Sequence, residues 1–159
     1  MSDGFDISQI QSIIDTGIPQ CGDIGVKVAQ LSDSGVVMML PYDDRFAGNP
    51  VNGILHGGIM TTLIDSASGM CIYVKLKKYI PIATLDLRID YLKPATPGED
   101  LYAHAYCYRM TKQIAFVRSV AYHSDPDDPV ANSVSTFMLQ STPTKSLDVA
   151  SKEMEAKNG

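Results

Sequence analysis

Between residues 56 and 77 no proline interrupts the chain, and Met60, Leu63, Ile64, Ala67, Met70, Cys71 and Val74 recur at intervals of three and four. That spacing predicts one long helix, about residues 56–77, with an apolar stripe to bury along its length. A helix this apolar has to be covered, and the sequence around it supplies mainly strands. Immediately downstream the period changes to two: Ala83, Leu85, Leu87, Ile89 and Tyr91 alternate with Thr84, Asp86, Arg88 and Asp90 up to Pro94. Three further strand-like runs, about 100–110, 114–123 and 130–139, are bounded by Pro97-Gly98, Thr111-Lys112-Gln113 and the turn residues of 125–129. Their short links predict antiparallel neighbours. Upstream, 24–31 and 36–40 read as a hairpin closed by Asp33-Ser34-Gly35. One long central helix among about six antiparallel strands is an α+β arrangement in which the sheet wraps around the helix. The crossover helices that a doubly wound sheet requires are missing.

The other segments add little to the frame. Ile7, Ile10, Ile13 and Ile14 fall at helical spacing, with Asp6 and Gln9 in capping-box positions and Gly17 and Pro19 as stops, so 6–16 is expected to be a short amphipathic helix. Residues 42–55 carry Gly48, Pro50 and Asn52-Gly53 and read as loop. Beyond Gln140 the chain turns polar, so 141–159 is expected to be a flexible tail, with a solvated helical turn near 152–157, leaving 1–140 as a single domain. A hydrophobic content of 45% against 19% charged residues suits one buried core and argues against a disordered chain.

A net charge of −5 and a pI near 5.0 leave no clustered basic surface for nucleic acid or an anionic membrane. No apolar stretch approaches the ~20 residues that span a bilayer. The opening residues lack the basic region and apolar run of a signal peptide, so the cytoplasm is the expected compartment. Cys21, Cys71 and Cys107 form neither a CxxC pair nor an even disulfide set and are expected to be small buried hydrophobes.

GxSxG, Walker, Rossmann and HExxH patterns are all missing, which removes the commonest hydrolase, nucleotide and zinc chemistries. What remains is the start of the long helix. Gly57 and Gly58 open it where first-turn N–H groups lack intrahelical acceptors and the helix dipole adds partial positive charge. Without side chains they let a carbonyl oxygen approach the backbone closely, as an oxyanion hole requires. The plain alternative is a tight turn whose histidine, His56, satisfies a loop carbonyl. Asp65 is the one charge between His56 and Lys75, bordered by Thr61, Thr62, Ser68 and Gly69. A lone carboxylate there is costly unless it is paired, hydrated or used in chemistry. His104 and His123 have no ligand-spaced partners, so neither a metal nor a cofactor is expected. Arg88, Lys93, Arg109 and Arg118 are scattered along strands and none is singled out as a phosphate contact.

The segment from Gly48 to Gly69, followed by Ala83-Thr-Leu-Asp-Leu-Arg-Ile-Asp-Tyr-Leu-Lys-Pro-Ala95, resembles the hotdog-fold acyl-CoA thioesterases of the PaaI-like, phenylacetate-pathway branch. The similarity extends through the later strands to about Leu139. The resemblance implies an acyl-CoA substrate, with Asp65 as the acidic residue that activates water or attacks the thioester and Gly57 as the glycine whose N–H polarises its carbonyl. It further implies that His56 fixes the loop and orients substrate beside Gly58, and that Thr84 holds the position of a small hydroxyl that helps place the water. Relatives often carry a site Asn six residues before the His; Pro50 stands there instead, with Asn49 and Asn52 on either side. Asn49, which begins the Asn-Pro step of the family pattern, is the first choice, and Asn52 remains open.

Geometry adds an expectation about assembly. Gly57 and Asp65 are eight residues apart, so their backbones lie ~12 Å apart along one helix. A single reacting carbonyl cannot meet both, so a homodimer, or a homotetramer built from two, is expected to set two such helices antiparallel through the small polar face of Thr61, Thr62, Ser68 and Gly69. An acyl-CoA sensor that binds without hydrolysis is the alternative function. A hydratase is disfavoured because His56 and Asp65 sit on opposite sides of the helix.

Overall fold

The computed structural model describes residues 4–140; the expected tail, 141–159, with its helical turn at 152–157, lies outside the described residues. The first helix, α1 (Ile7–Gly17), starts where the capping box predicts: Asp6 accepts from the Gln9 amide and the Gln9 side chain accepts from the Asp6 amide. Ile10, Ile13 and Ile14 are its buried face. A short helix not expected from the sequence, α2 (Pro19–Asp23), follows at once. Pro19 supplies its first turn at no cost in hydrogen bonds, because that N–H would have no partner anyway. It shortens the expected strand at 24–31 to β1 (Lys27–Ser32), which pairs with β2 (Gly35–Leu40). At Gly35 a side chain would run into the Ala105 carbonyl, which fixes glycine at that turn.

Residues 42–55 are not plain loop. A single 3₁₀ turn leads into β3 (Ala47–Asn49) and β4 (Ile54–Leu55), a two-stranded ribbon that delivers the chain to the long helix α3 (Gly57–Leu76). Every position of the expected apolar stripe on α3 is buried except Val74, which is half-buried. Lys77 ends the helix in the left-handed conformation.

Four long strands follow: β5 (Ile82–Tyr91), β6 (Leu101–Met110), β7 (Ile114–Tyr122) and β8 (Ala131–Leu139). The six long strands form one antiparallel sheet in the order β1-β2-β6-β7-β8-β5. The links β6–β7 and β7–β8 join neighbours, as their lengths predict. The link from β5 to β6 does not: β5 pairs with β8 at the sheet's far edge, so residues 92–100 carry the chain across to the middle. A β-bulge at Leu85 interrupts the β5–β8 register and leaves that leucine exposed, which breaks the clean alternation expected there.

His123 holds the crossing segment. Its Nε2 accepts from the Thr96 amide at 2.8 Å, so Nδ1 carries the proton and donates to the Asp100 carbonyl at 2.8 Å. The Asp100 carboxylate accepts from the Tyr42 amide at 2.8 Å, and the Tyr42 hydroxyl donates to the Gly53 carbonyl at 2.9 Å. The crossing segment is thereby tied to the ribbon that introduces α3. Cys21 and Cys71 are buried as expected, whereas Cys107 is only half-buried, because the adjacent bulge in β6 turns it toward the sheet surface. No helix among the described residues is long and apolar enough to cross a membrane.

Candidate active site

The first turn of α3 is assembled from backbone groups. His56 is the N-cap, in extended conformation, and its Nδ1 accepts from the Gly58 amide at 2.9 Å. Its own amide donates to the Phe46 carbonyl at 2.8 Å, and its carbonyl accepts from Ile59 at 3.0 Å. The cap and the tight turn therefore occupy the amides of Gly58 and Ile59. The Gly57 N–H, out of reach of any intrahelical carbonyl, makes no hydrogen bond among the described residues. Gly58 contributes differently from an open donor: a side chain there would sit 2.9 Å from His56 Nδ1, so glycine is what lets the imidazole fold over the turn.

Asp65 lies ~12 Å further along the axis and is half-buried. Thr84, from the start of β5, donates its hydroxyl to Asp65 Oδ1 at 3.0 Å. Burial raises the Asp65 pKa above the usual carboxylate value, and the Thr84 hydrogen bond partly opposes that shift. No Lys, Arg or His among the described residues forms an ion pair with it. The carboxylate opens into a cleft of about 380 Å³. Gln20, Thr61, Thr62, Ser66 and Thr84 give it a polar side; Ile13, Ile18, Met70, Tyr73, Tyr79, Ile82 and Phe137 give it an apolar one. Tyr73 and Tyr79 meet there with ring centres 4.9 Å apart and planes tilted by 41°.

The structure thus brings Asp65 and Thr84 together and leaves His56, Gly57 and Asn49 outside their cleft. Both candidate asparagines are engaged in turns: Asn49 Oδ1 accepts from the Val51 amide at 2.9 Å, and Asn52 Oδ1 from the Ile54 amide at 3.1 Å. The expected approach face is also narrower than Thr61, Thr62, Ser68 and Gly69. Ser68 is fully buried, donating to the Ile64 carbonyl at 2.7 Å with the Ser119 hydroxyl 3.3 Å away, and Gly69 faces Ile82. Small residues at these two positions admit the chain's own sheet, leaving Thr61 and Thr62 half-exposed. Among the described residues no three His, Cys, Asp or Glu side chains are grouped to hold a metal ion.

Sequence reasoning missed three contributors. Ile13, read only as part of a helix face, and Ile18, to which the pattern gives no role, form one wall of the Asp65 cleft. Tyr91 reads as one more apolar position in an alternating strand, yet its hydroxyl lies 3.0 Å from the Gly57 carbonyl. Its place in the motif that follows the long helix was the only available signal.

Comparison with known proteins converges on one group. The thioesterase superfamily profile matches residues 52–130. The medium/long-chain acyl-CoA thioesterase YigI of Escherichia coli is 30% identical over 129 residues, covering 73% of this chain and 82% of YigI. A crystal structure of a Pseudomonas aeruginosa protein superposes with a TM-score of 0.76 at 37% identity, covering 83% of this chain and 97% of that one. The phenylacetic acid degradation protein PaaI of Thermus thermophilus, as its N33D variant, shares the fold with a TM-score of 0.65 at 23% identity, over 76% of this chain and 97% of its own.

Proposed function

The chain belongs to the thioesterase superfamily and has its hotdog fold, and from that premise we propose that it hydrolyses acyl-CoA thioesters in a site shared by two copies of itself. The observation that carries this reading is the Asp65 cleft: a half-buried carboxylate, held by one hydroxyl and unpaired with any cation among the described residues, faces a cavity with hydroxyl side chains on one side and apolar side chains on the other. Such a group can take a proton from water lodged between it and the substrate. Hydroxide adds to the thioester carbon, and the carbonyl electrons move onto oxygen. The tetrahedral intermediate then collapses with loss of the CoA thiolate, leaving free acid and CoA. The thiolate leaves readily, so no strong general acid is needed. Direct attack by Asp65, through an anhydride that water later opens, uses the same atoms.

The oxyanion needs a donor within about 3 Å, and the Gly57 N–H of the same chain lies ~12 Å from Asp65 along the helix axis, too far to serve. The Gly57 N–H of a second copy, with its α3 antiparallel across a twofold axis, meets that need. His56 holds that turn in shape. Two such sites per dimer result, and a pair of dimers keeps both intact. The Tyr73 and Tyr79 rings wall one end of the cavity, which suits a medium-chain or aryl acyl group. Such a substrate is consistent with the cytoplasmic setting expected from the sequence.

Thiol release measured over a panel of acyl-CoA esters tests the reading. Turnover that peaks for medium-chain or aryl esters is the expected result. Tight binding of CoA esters with no thiol released would instead make the protein a sensor.

A further inference from the structure

The Gly57 carbonyl is gripped from outside its own helix. Tyr91, the last residue of β5, places its hydroxyl 3.0 Å from that oxygen and 3.1 Å from the Thr61 hydroxyl, which is itself 3.0 Å from the same oxygen. Two hydroxyl protons serve three contacts, so the trio is a closed cluster around one carbonyl. The ring also covers the glycine: a side chain at Gly57 would meet Tyr91 Oη at 3.2 Å and Cζ at 3.4 Å. Tyr91 is 49% exposed, so core packing does not require it to lie there.

We infer that Tyr91 is a positioning residue for thioester hydrolysis, holding the first turn of α3 so that the Gly57 N–H keeps its aim; the inference rests on the function proposed above. His56 fixes the turn from the ribbon side through the Gly58 amide, and Tyr91 fixes it from the sheet side through the Gly57 carbonyl. The two anchors flank the open amide. The same strand that steadies Asp65 through Thr84 at its start steadies Gly57 through Tyr91 at its end. A half-exposed turn fluctuates unless its groups are held, and an oxyanion donor loses effect when misaimed by a fraction of an ångström.

The test is Tyr91→Phe, which keeps the ring and removes the hydroxyl, read by kcat and KM separately and by thermal unfolding. The Gly57 carbonyl keeps the Thr61 hydroxyl as a donor, so the fold should hold while the looser turn lowers kcat about fivefold. KM and the midpoint of unfolding should stay near wild type. The second arm is a cycle with Gly57→Ala. In the native background the new methyl is crowded by Tyr91 Oη; in Tyr91→Phe that atom is gone. The double variant should therefore lose less activity than the product of the two single losses. An unchanged kcat in Tyr91→Phe, a loss that tracks a lowered unfolding midpoint, or strictly multiplicative losses in the cycle would each overturn the inference. Wild-type thiol release is scored first, so failure of the variants with an active wild type rejects the role of Tyr91 alone, whereas an inactive wild type rejects both.

Discussion

At the first turn of α3 the groups that matter are backbone atoms, half-exposed, with His56, Thr61 and Tyr91 around them. Two turns on, at Asp65, a single ionisable side chain sits in a cleft with one hydroxyl to hold it. The first arrangement needs direction and little else, because an N–H is a donor at any pH. The second needs a tuned environment, because a carboxylate is a base only while ionised, and its strength follows its solvation. One end is held by hydrogen bonding; the other has its charge tuned by partial burial.

The sharpest way to break this contrast is Asp65→Asn. Turnover should fall by orders of magnitude, since the amide is neither base nor nucleophile, while Thr84 can still donate to its oxygen. Stability should move the other way. Burial raises the Asp65 pKa in the folded chain. Below the ordinary carboxylate range the group is therefore neutral in both states. As pH rises the unfolded chain ionises first, and the loss of stability is complete once pH passes the folded value. The amide side chain escapes that penalty, so the variant should unfold at a higher temperature than wild type at neutral pH, with the gap shrinking on acidification. Calorimetry at two pH values measures it, and a less stable variant at neutral pH would mean that Asp65 is held by partners rather than strained by burial.

Gly57→Val tests the other end. The valine keeps the N–H but crowds the oxyanion out of its reach, so turnover should fall by ~10²-fold, the usual cost of one lost donor, with no shift in the pH profile because no titrating group is touched. Mixing this protein with Asp65→Asn under verified subunit exchange should return activity, because one of the two sites in each heterodimer then has both groups intact. Exchange without recovery, or an active monomer in sedimentation, would overturn the shared site.

Support for the Gly57 end extends further than its contacts. His123, Asp100, Tyr42 and Gly53 form a chain of hydrogen bonds from the crossing segment to the ribbon before α3. His123→Ala strips partners from the Thr96 amide and the Asp100 carbonyl and should destabilise the fold by ~2 kcal/mol in urea titration. The acid limb of the pH profile should not move, since Asp65 keeps its surroundings.

Much of this was legible in the residues. The stripe on α3 and the runs at 100–110, 114–123 and 130–139 dictate elements because periodicity and turn residues are local properties. What escaped depends on partners far away in sequence. Nothing in 92–100 reveals that β5 lies beyond β8, and nothing at Ser68 tells whether its small size admits another subunit or the Ser119 side of its own sheet. Asp65 was conspicuous as an isolated charge. Tyr91 was not, because a tyrosine closing an alternating strand satisfies the pattern whether or not its hydroxyl is in use. The Asn49 and Asn52 assignments show the same ambiguity in reverse, since both side chains make the local turn contacts that asparagine ordinarily makes beside Pro and Gly.

The smallest expected effect sharpens the contrast most. Thr84→Ala leaves Asp65 in its cleft and removes the one interaction that lowers its pKa, while the burial that raises it remains. The carboxylate should then stay protonated to higher pH, and the acid limb of kcat/KM, which reports the base in the free enzyme, should move upward. At pH well above that limb the base is ionised in both proteins, so the remaining loss, about fivefold, reflects only the looser aim of the carboxylate. Thr84→Ser should restore both the limb and the rate, because the donor returns. Tyr91→Phe offers the control at the opposite end of β5: a similar loss in rate with the acid limb unmoved. If Thr84→Ala behaved like Tyr91→Phe, lowering the rate at every pH without displacing the limb, Thr84 would be setting only the position of Asp65 and not its charge, and the electrostatic half of the contrast would rest on burial alone.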